Sequence, residues 1–175
     1  MGLTVLLGGA RSGKSALSSE LAAETELPVV VVVTAEARDE EMTERIRRHR
    51  ESRPAPWITV EAPVEVARAV GELAPNAFVV LDCLSLWVSN AIEAKLDDDR
   101  ILHEAREIAS ALADREVPAV VVSNEVGLGI VPANALARRY RDTLGRVNAT
   151  FVDAAERAYF VVAGKALALE DVTLA

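Results

Sequence analysis

Residues 8–15 read Gly8-Gly9-Ala10-Arg11-Ser12-Gly13-Lys14-Ser15, and no other stretch restricts the fold of this chain so tightly. The spacing fits G-x-x-x-x-G-K-[ST], a pattern that works only where a strand turns sharply into a helix. Its glycines let several backbone N–H groups converge on phosphate oxygens, and the new helix adds the positive end of its dipole. The flanks agree: residues 3–7 are a continuous apolar run, and Ser15 opens a stretch of helical period. Lys14 is expected to reach the β- and γ-phosphates of a nucleoside triphosphate, and Ser15 to coordinate the Mg²⁺ bridging them. The competing reading is an ordinary glycine-rich strand–helix turn. Residues 78–81 form a second apolar run that ends in Asp82, a candidate acid for the metal's ligand shell. Many strands simply end in Asp, so this assignment depends on the loop.

The remaining pattern is alternating. Short β-branched runs at 3–7, 29–33, 78–81, 119–122 and 159–163 read as strands buried on both faces. Longer stretches of helical period lie between them at 14–23, 40–51, 64–73, 84–94, 101–115 and 134–155. Pro28, Pro75 and Pro118 each fall where a helix should stop before a strand. Such alternation implies an α/β fold: a single P-loop NTPase domain over 1–175, its mostly parallel sheet covered by helices on both faces. Asp97-Asp98-Asp99 reads as a helix start, with a metal site as the rarer alternative.

Composition narrows the function classes. With 51% hydrophobic and 26% charged residues, disorder is excluded as the general state. A formal net charge of −8 argues against a broad grip on nucleic acid or anionic lipid, while leaving room for one local phosphate site. The single cysteine, Cys83, can form no internal disulfide, and two histidines add too few ligands for structural zinc. No apolar run approaches the roughly 20 residues of a membrane span. A cytoplasmic location is therefore expected, the start of the chain showing no secretory pattern.

Residues 39–53 place acids first and bases last, as a helix dipole prefers, with His49 among Arg45, Arg47, Arg48, Arg50 and Arg53. Neighbouring cations favour a neutral imidazole whose lone pair could attack phosphorus. Composition alone favours a solvated helix with an idle histidine.

Several motifs taken together resemble one family. They are Gly8–Ser15, Thr34-Ala35-Glu36, His49-Arg50-Glu51-Ser52-Arg53-Pro54 and the segments 57–63, 81–90, 122–132 and 139–148, in order along nearly the whole chain. The family is that of bifunctional adenosylcobinamide kinase / adenosylcobinamide-phosphate guanylyltransferases of cobalamin biosynthesis. The resemblance implies phosphorylation of adenosylcobinamide by GTP or ATP, then transfer of GMP from GTP through a guanylylated histidine. That histidine aligns with His49, and Lys14 joins it as a catalytic residue. The implied nucleotide contacts are Gly8, Gly9, Ala10, Arg11, Ser12, Gly13, Lys14, Ser15, Thr34, Ala35, Glu36, Arg50, Glu51, Ser52, Arg53, Glu61 and Asp82. Ser15 and Asp82 are the implied Mg²⁺ ligands, and the implied assembly is a homo-oligomer, a trimer. Two readings compete with this one: a single-activity small-molecule kinase, and a GTP-dependent switch or scaffold.

Other features are weaker. Asn124-Glu125 should sit at the ligand-binding edge of the sheet, and Gly127 and Gly129 make the next loop pliable enough to close over an acceptor. Trp57 and Trp87 could stack on a base or simply pack. Ala149 and the segment 164–167 depart from the family's usual residues.

Overall fold

The computed structural model describes residues 2–51 and 53–171. Among the described residues, seven strands form one sheet: β1 (Leu3–Gly8), β2 (Val29–Val33), β3 (Ile58–Glu61), β4 (Phe78–Asp82), β5 (Ala119–Asn124), β6 (Arg157–Val162) and β7 (Lys165–Ala168). Their order is β3-β2-β4-β5-β1-β6-β7. All pairings are parallel except the β6–β7 hairpin. Six helices among the described residues connect them: α1 (Lys14–Ala23), α2 (Glu40–Glu51), α3 (Val66–Gly71), α4 (Leu84–Glu93), α5 (Asp98–Ala113) and α6 (Ala135–Ala154).

The apolar runs serve both faces because successive strand side chains point opposite ways. Leu3, Val5, Leu7, Val79, Leu81 and Val121 join a large core with α3, α4, α5 and α6. Leu6, Val29, Val31, Phe78, Val80 and Val120 build a smaller one, in which Leu17 and Leu21 of α1 and Trp57 pack. The two faces are thus covered unequally.

Helix starts follow the capping chemistry. Asp97 is the N-cap of α5, its carboxylate accepting from the Arg100 N–H at 2.8 Å, and Asp98 and Asp99 lie in the first turn. Asn134 caps α6 by accepting from Leu136 and Ala137. The helix expected at 101 therefore begins at Asp98, the acids belonging to the helix rather than preceding it. Trp87 is fully buried and its indole donates to Val64 O at 3.0 Å, so packing is its role.

At the sheet edges two strands were not expected, and one expected run ends earlier. Ile58–Glu61 is a four-residue edge strand, and its half-exposed residues gave no continuous apolar run. Lys165–Ala168 is an exposed edge strand, invisible to a search for buried runs. The run expected to continue through Ala163 stops at Val162, because Ala163 (φ 51°) and Gly164 (φ 74°) form a two-residue turn with both central residues left-handed. No helix among the described residues is long and apolar enough to cross a membrane.

Candidate active site

Strands β1, β2, β4 and β5 all end on one side of the sheet, and the turns leaving them build the site there, as open α/β sheets do. Gly8 (φ 152°) leaves β1 against β6, where a Cβ would stand 2.3 Å from Val161 O. Gly13 (φ 106°) precedes α1, and its own Cβ would meet Gly164 Cα at 3.1 Å. The Gly164 N–H also donates to Ser12 O at 2.8 Å. The β6–β7 turn thus backs the phosphate loop from beneath, a support the motif itself does not reveal. The one available signal was Ala163-Gly164 between two β-capable segments.

Lys14 bends back over this loop. Its ammonium donates to Gly8 O (2.8 Å), Gly9 O (2.7 Å) and Ser12 Oγ (3.2 Å). Burial pushes its pKa down, while the nearby Cys83 and Asp82 hold the charge on it. No side chain caps the start of α1, so its first N–H groups are directed at the loop. Ala10, Arg11, Ser12, Gly13, Lys14 and Ser15 line a cavity of about 720 Å³ together with Asn124 and the α2 residues Glu41, Glu44, Arg45, Arg48 and His49.

A second cavity of about 350 Å³ opens on the other flank of α2. Ala35, Glu36, Arg50, Arg53, Glu61 and Asp82 line it, with apolar walls from Met42, Ile46, Pro63 and Leu86. Ser15, His49 and Asp82 line both cavities and also a small cleft beside Trp57. The imidazole therefore stands at the junction, where spacing along a helix also brings Arg45 four residues earlier onto the same face. Arg45 lines both cavities, although no motif in the sequence marks it as a site residue.

Asp82 sits at the tip of β4, and burial raises its pKa; His49, Arg53, Arg45 and Lys14, in that order, pull it back down. Arg53 is half-buried and donates to Thr59 Oγ1 at 3.1 Å, burial lowering its pKa against the pull of Asp82. Arg50 Nη2 reaches Glu61 Oε1 at 3.2 Å, tying α2 to β3.

Some expected contacts are placed elsewhere. Thr34 is completely buried behind the cavity wall, its hydroxyl donating to Cys83 O at 2.7 Å and accepting from Cys83 N at 3.0 Å. Glu51 turns to Arg47, which donates to it at 2.6 Å. Arg47 also pairs with Glu44, whose carboxyl Arg47 and Arg48 hold down to about 2. Arg47 is thereby engaged along the helix rather than massed around His49. Ser52 lies outside the described residues. No residue of α2 is buried, so the helix carrying His49 rests on the site without a core anchor of its own.

The donor set of Ser15 and Asp82, a hydroxyl beside a buried carboxylate facing one cavity, fits a hard cation bound together with phosphate oxygens. A larger carboxylate cage is not required when phosphates supply ligands.

Comparison with known proteins agrees with these motifs. The family model described as "Cobinamide kinase / cobinamide phosphate guanyltransferase" matches residues 4–169. A Pseudomonas aeruginosa protein named "Bifunctional adenosylcobalamin biosynthesis protein CobP" is 40% identical over 167 residues, spanning 95% of this chain and 96% of its own length. The Escherichia coli protein named "Bifunctional adenosylcobalamin biosynthesis protein CobU" is 37% identical, spanning 93% and 96% respectively. Among solved structures, a Pyrococcus horikoshii protein superposes with a TM-score of 0.59 at 9% identity, covering 98% of this chain and 87% of its own. An ATPase from a bacterial type III secretion system gives 0.57 at 8% identity, covering 91% of this chain and 50% of its own. These two speak for the α/β fold alone. The sequence matches go further, and by them the chain belongs to the cobinamide kinase / cobinamide phosphate guanyltransferase family.

Proposed function

We propose that this chain phosphorylates adenosylcobinamide and then transfers GMP from GTP to the resulting phosphate, with His49 as the nucleophile that carries GMP. Family membership supports the two activities, and the position of His49 between the two cavities supports the histidine's role. In the first step the acceptor's hydroxyl oxygen attacks the γ-phosphorus of GTP or ATP. The nucleoside diphosphate leaves and the hydroxyl proton passes to solvent or a nearby carboxylate. Lys14 and the loop N–H groups stabilise the charge that builds on the phosphate oxygens. Ser15 and Asp82 would hold Mg²⁺, which when bound neutralises charge across the phosphates.

In the second reaction an imidazole nitrogen of His49 attacks the α-phosphorus of GTP, a P–N bond forms, and pyrophosphate leaves. A phosphate oxygen of the acceptor then attacks the same phosphorus, breaking the P–N bond and restoring the imidazole. The product is adenosylcobinamide-GDP, and one difficult transfer has become two in-line displacements. The smaller cavity, with apolar walls and the charges of Glu36, Glu61, Arg50 and Arg53, suits a base and ribose. On the resemblance we also assign a cytoplasmic homotrimer, which sedimentation of the purified protein tests.

The test is product analysis from adenosylcobinamide and GTP, comparing wild type with His49→Ala. The expected variant still makes adenosylcobinamide phosphate and no longer makes the GDP product. A His49→Ala enzyme that makes both would refute the histidine's role and leave a kinase. A wild type that transfers nothing to the corrinoid would favour the switch.

A further inference from the structure

Among the described residues, Ser15, Arg45, His49, Asp82 and Cys83 line both cavities, and Arg45 is the one lysine or arginine of that set. The α-phosphate of a nucleoside triphosphate joins the ribose to the β-phosphate. A nucleotide laid across the two cavities therefore puts its α-phosphate at their junction. Lys14 lines only the phosphate cavity, and Arg50 and Arg53 line only the smaller one, which leaves Arg45 as the cation at that point.

Arg45 is also uncommitted. Its neighbours are engaged: Arg47 pairs with Glu44 and Glu51, Arg48 with Glu44, Arg50 with Glu61, and Arg53 donates to Thr59. Arg45 makes no hydrogen bond or ion pair among the described residues. Glu41 stands four residues before it, the favourable order for a helical pair, and no pair forms. The charge of Arg45 still reaches both ends of the site. Burial first, and then Arg45, push the Lys14 pKa down. Burial raises the pKa of Asp82, and Arg45 acts after His49 and Arg53 in pulling it back. Two cations with one carboxylate around an open cavity suit a polyanion seated among them.

Resting on the function proposed above, we infer that Arg45 is a further catalytic residue, its guanidinium donating to the non-bridging oxygens of the α-phosphate during guanylyl transfer. A planar guanidinium offers two parallel N–H bonds to such a pair of oxygens. Arg45 lies one turn before His49 on the same face of α2, so the donor and the nucleophile approach the phosphorus from one helix. The same two oxygens are held when the P–N bond forms and pyrophosphate leaves, and again when the acceptor oxygen breaks the P–N bond. Arg45 stays protonated throughout and passes no proton. In the phosphoryl step charge builds around the γ-phosphorus, at the Lys14 end, and Arg45 contributes less.

The test compares wild type, Arg45→Ala, Arg45→Lys and Arg47→Ala in two assays. One is the single-turnover rate of labelling by GTP marked at the α-phosphorus, without acceptor. The other is phosphorylation of adenosylcobinamide by ATP marked at the γ-phosphorus. Arg45→Ala is expected to slow labelling by about 10²–10³-fold, as loss of one oxyanion donor does, and the phosphoryl step by less than about tenfold. Arg45→Lys should recover only part of the labelling rate, since an ammonium keeps the charge without the fork. Arg47→Ala removes a charge and two ion pairs from the same helix and should match wild type in both assays. Labelling of Arg45→Ala at nearly the wild-type rate overturns the assignment and leaves His49 standing. Equal losses in both assays make Arg45 a general nucleotide contact and also overturn it. A fall in sedimentation mass for Arg45→Ala makes the residue a contact between copies, and the assignment is wrong. Wild type that takes up no label overturns both the role of His49 and that of Arg45.

Discussion

Thr34 offers the sharpest separation of two roles that sequence alone merges. The resemblance implies a nucleotide contact, whereas the structure commits its hydroxyl to both backbone groups of Cys83, the residue after Asp82. Thr34→Val keeps the shape and removes the hydroxyl. It would leave the buried Cys83 N–H without a partner, while Cys83 O still accepts from the Trp87 N–H at 3.2 Å. One unsatisfied buried group costs about 1–3 kcal/mol. For a chain of this length that lowers the thermal midpoint by about 2–12 °C. Calorimetry and urea unfolding of wild type, Thr34→Val and Thr34→Ser would measure it, and the serine variant should recover most of the loss. Because the clamp sets the tip of β4, the valine variant should also lose activity through kcat as Asp82 is displaced. A valine variant less than about 1 kcal/mol below wild type, but with a greatly raised nucleotide KM, would refute the clamp and restore the direct contact.

Four more expectations can be checked together. Asp82→Asn should abolish both transfers yet raise stability at neutral pH, because burial has raised the pKa of this carboxyl. A raised folded-state pKa favours the folded form most below the unfolded value and loses that benefit as pH rises through the folded one. The variant's advantage in urea unfolding should therefore shrink toward zero in acid, and an advantage that grew in acid would contradict the assignment. Ala163→Gly should stabilise the β6–β7 turn by about 1 kcal/mol, since an L-residue at φ 51° bears a penalty that glycine avoids. Gly13→Ala should weaken nucleotide binding at least tenfold in calorimetric titration, its Cβ meeting Gly164 and its φ being unsuited to alanine. In hydrogen exchange, amides of α2 should open far faster than those of α5, which buries six residues where α2 buries none.

What could be read in the sequence was whatever local physics dictates. The five β-branched runs marked the buried strands because a strand covered on both faces has no polar side to show. The glycine spacing marked the phosphate loop because its backbone geometry admits few other residues. The acids at 97–99 marked a helix start because free N–H groups need partners. Hidden from that reading was whatever depends on distant neighbours. Thr34 meets Cys83 across 49 residues, and the Ala163-Gly164 turn meets the loop at Ser12. The edge strands β3 and β7 bury too little to leave an apolar signature. The site was legible in its motifs, while the division of labour along α2 was not. His49 and Arg45 face the cavities and Arg47 faces its own helix, a distinction that only the helix's placement supplies.

The account stands or falls on a covalent bond between His49 and GMP. Incubating the protein with GTP labelled at the α-phosphorus, without acceptor, and mapping the label by peptide mass analysis tests it directly. The account predicts one acid-labile GMP on His49, released as labelled adenosylcobinamide-GDP when adenosylcobinamide phosphate is added. Protein that stays unlabelled while still forming that product, or label on another residue, would contradict it.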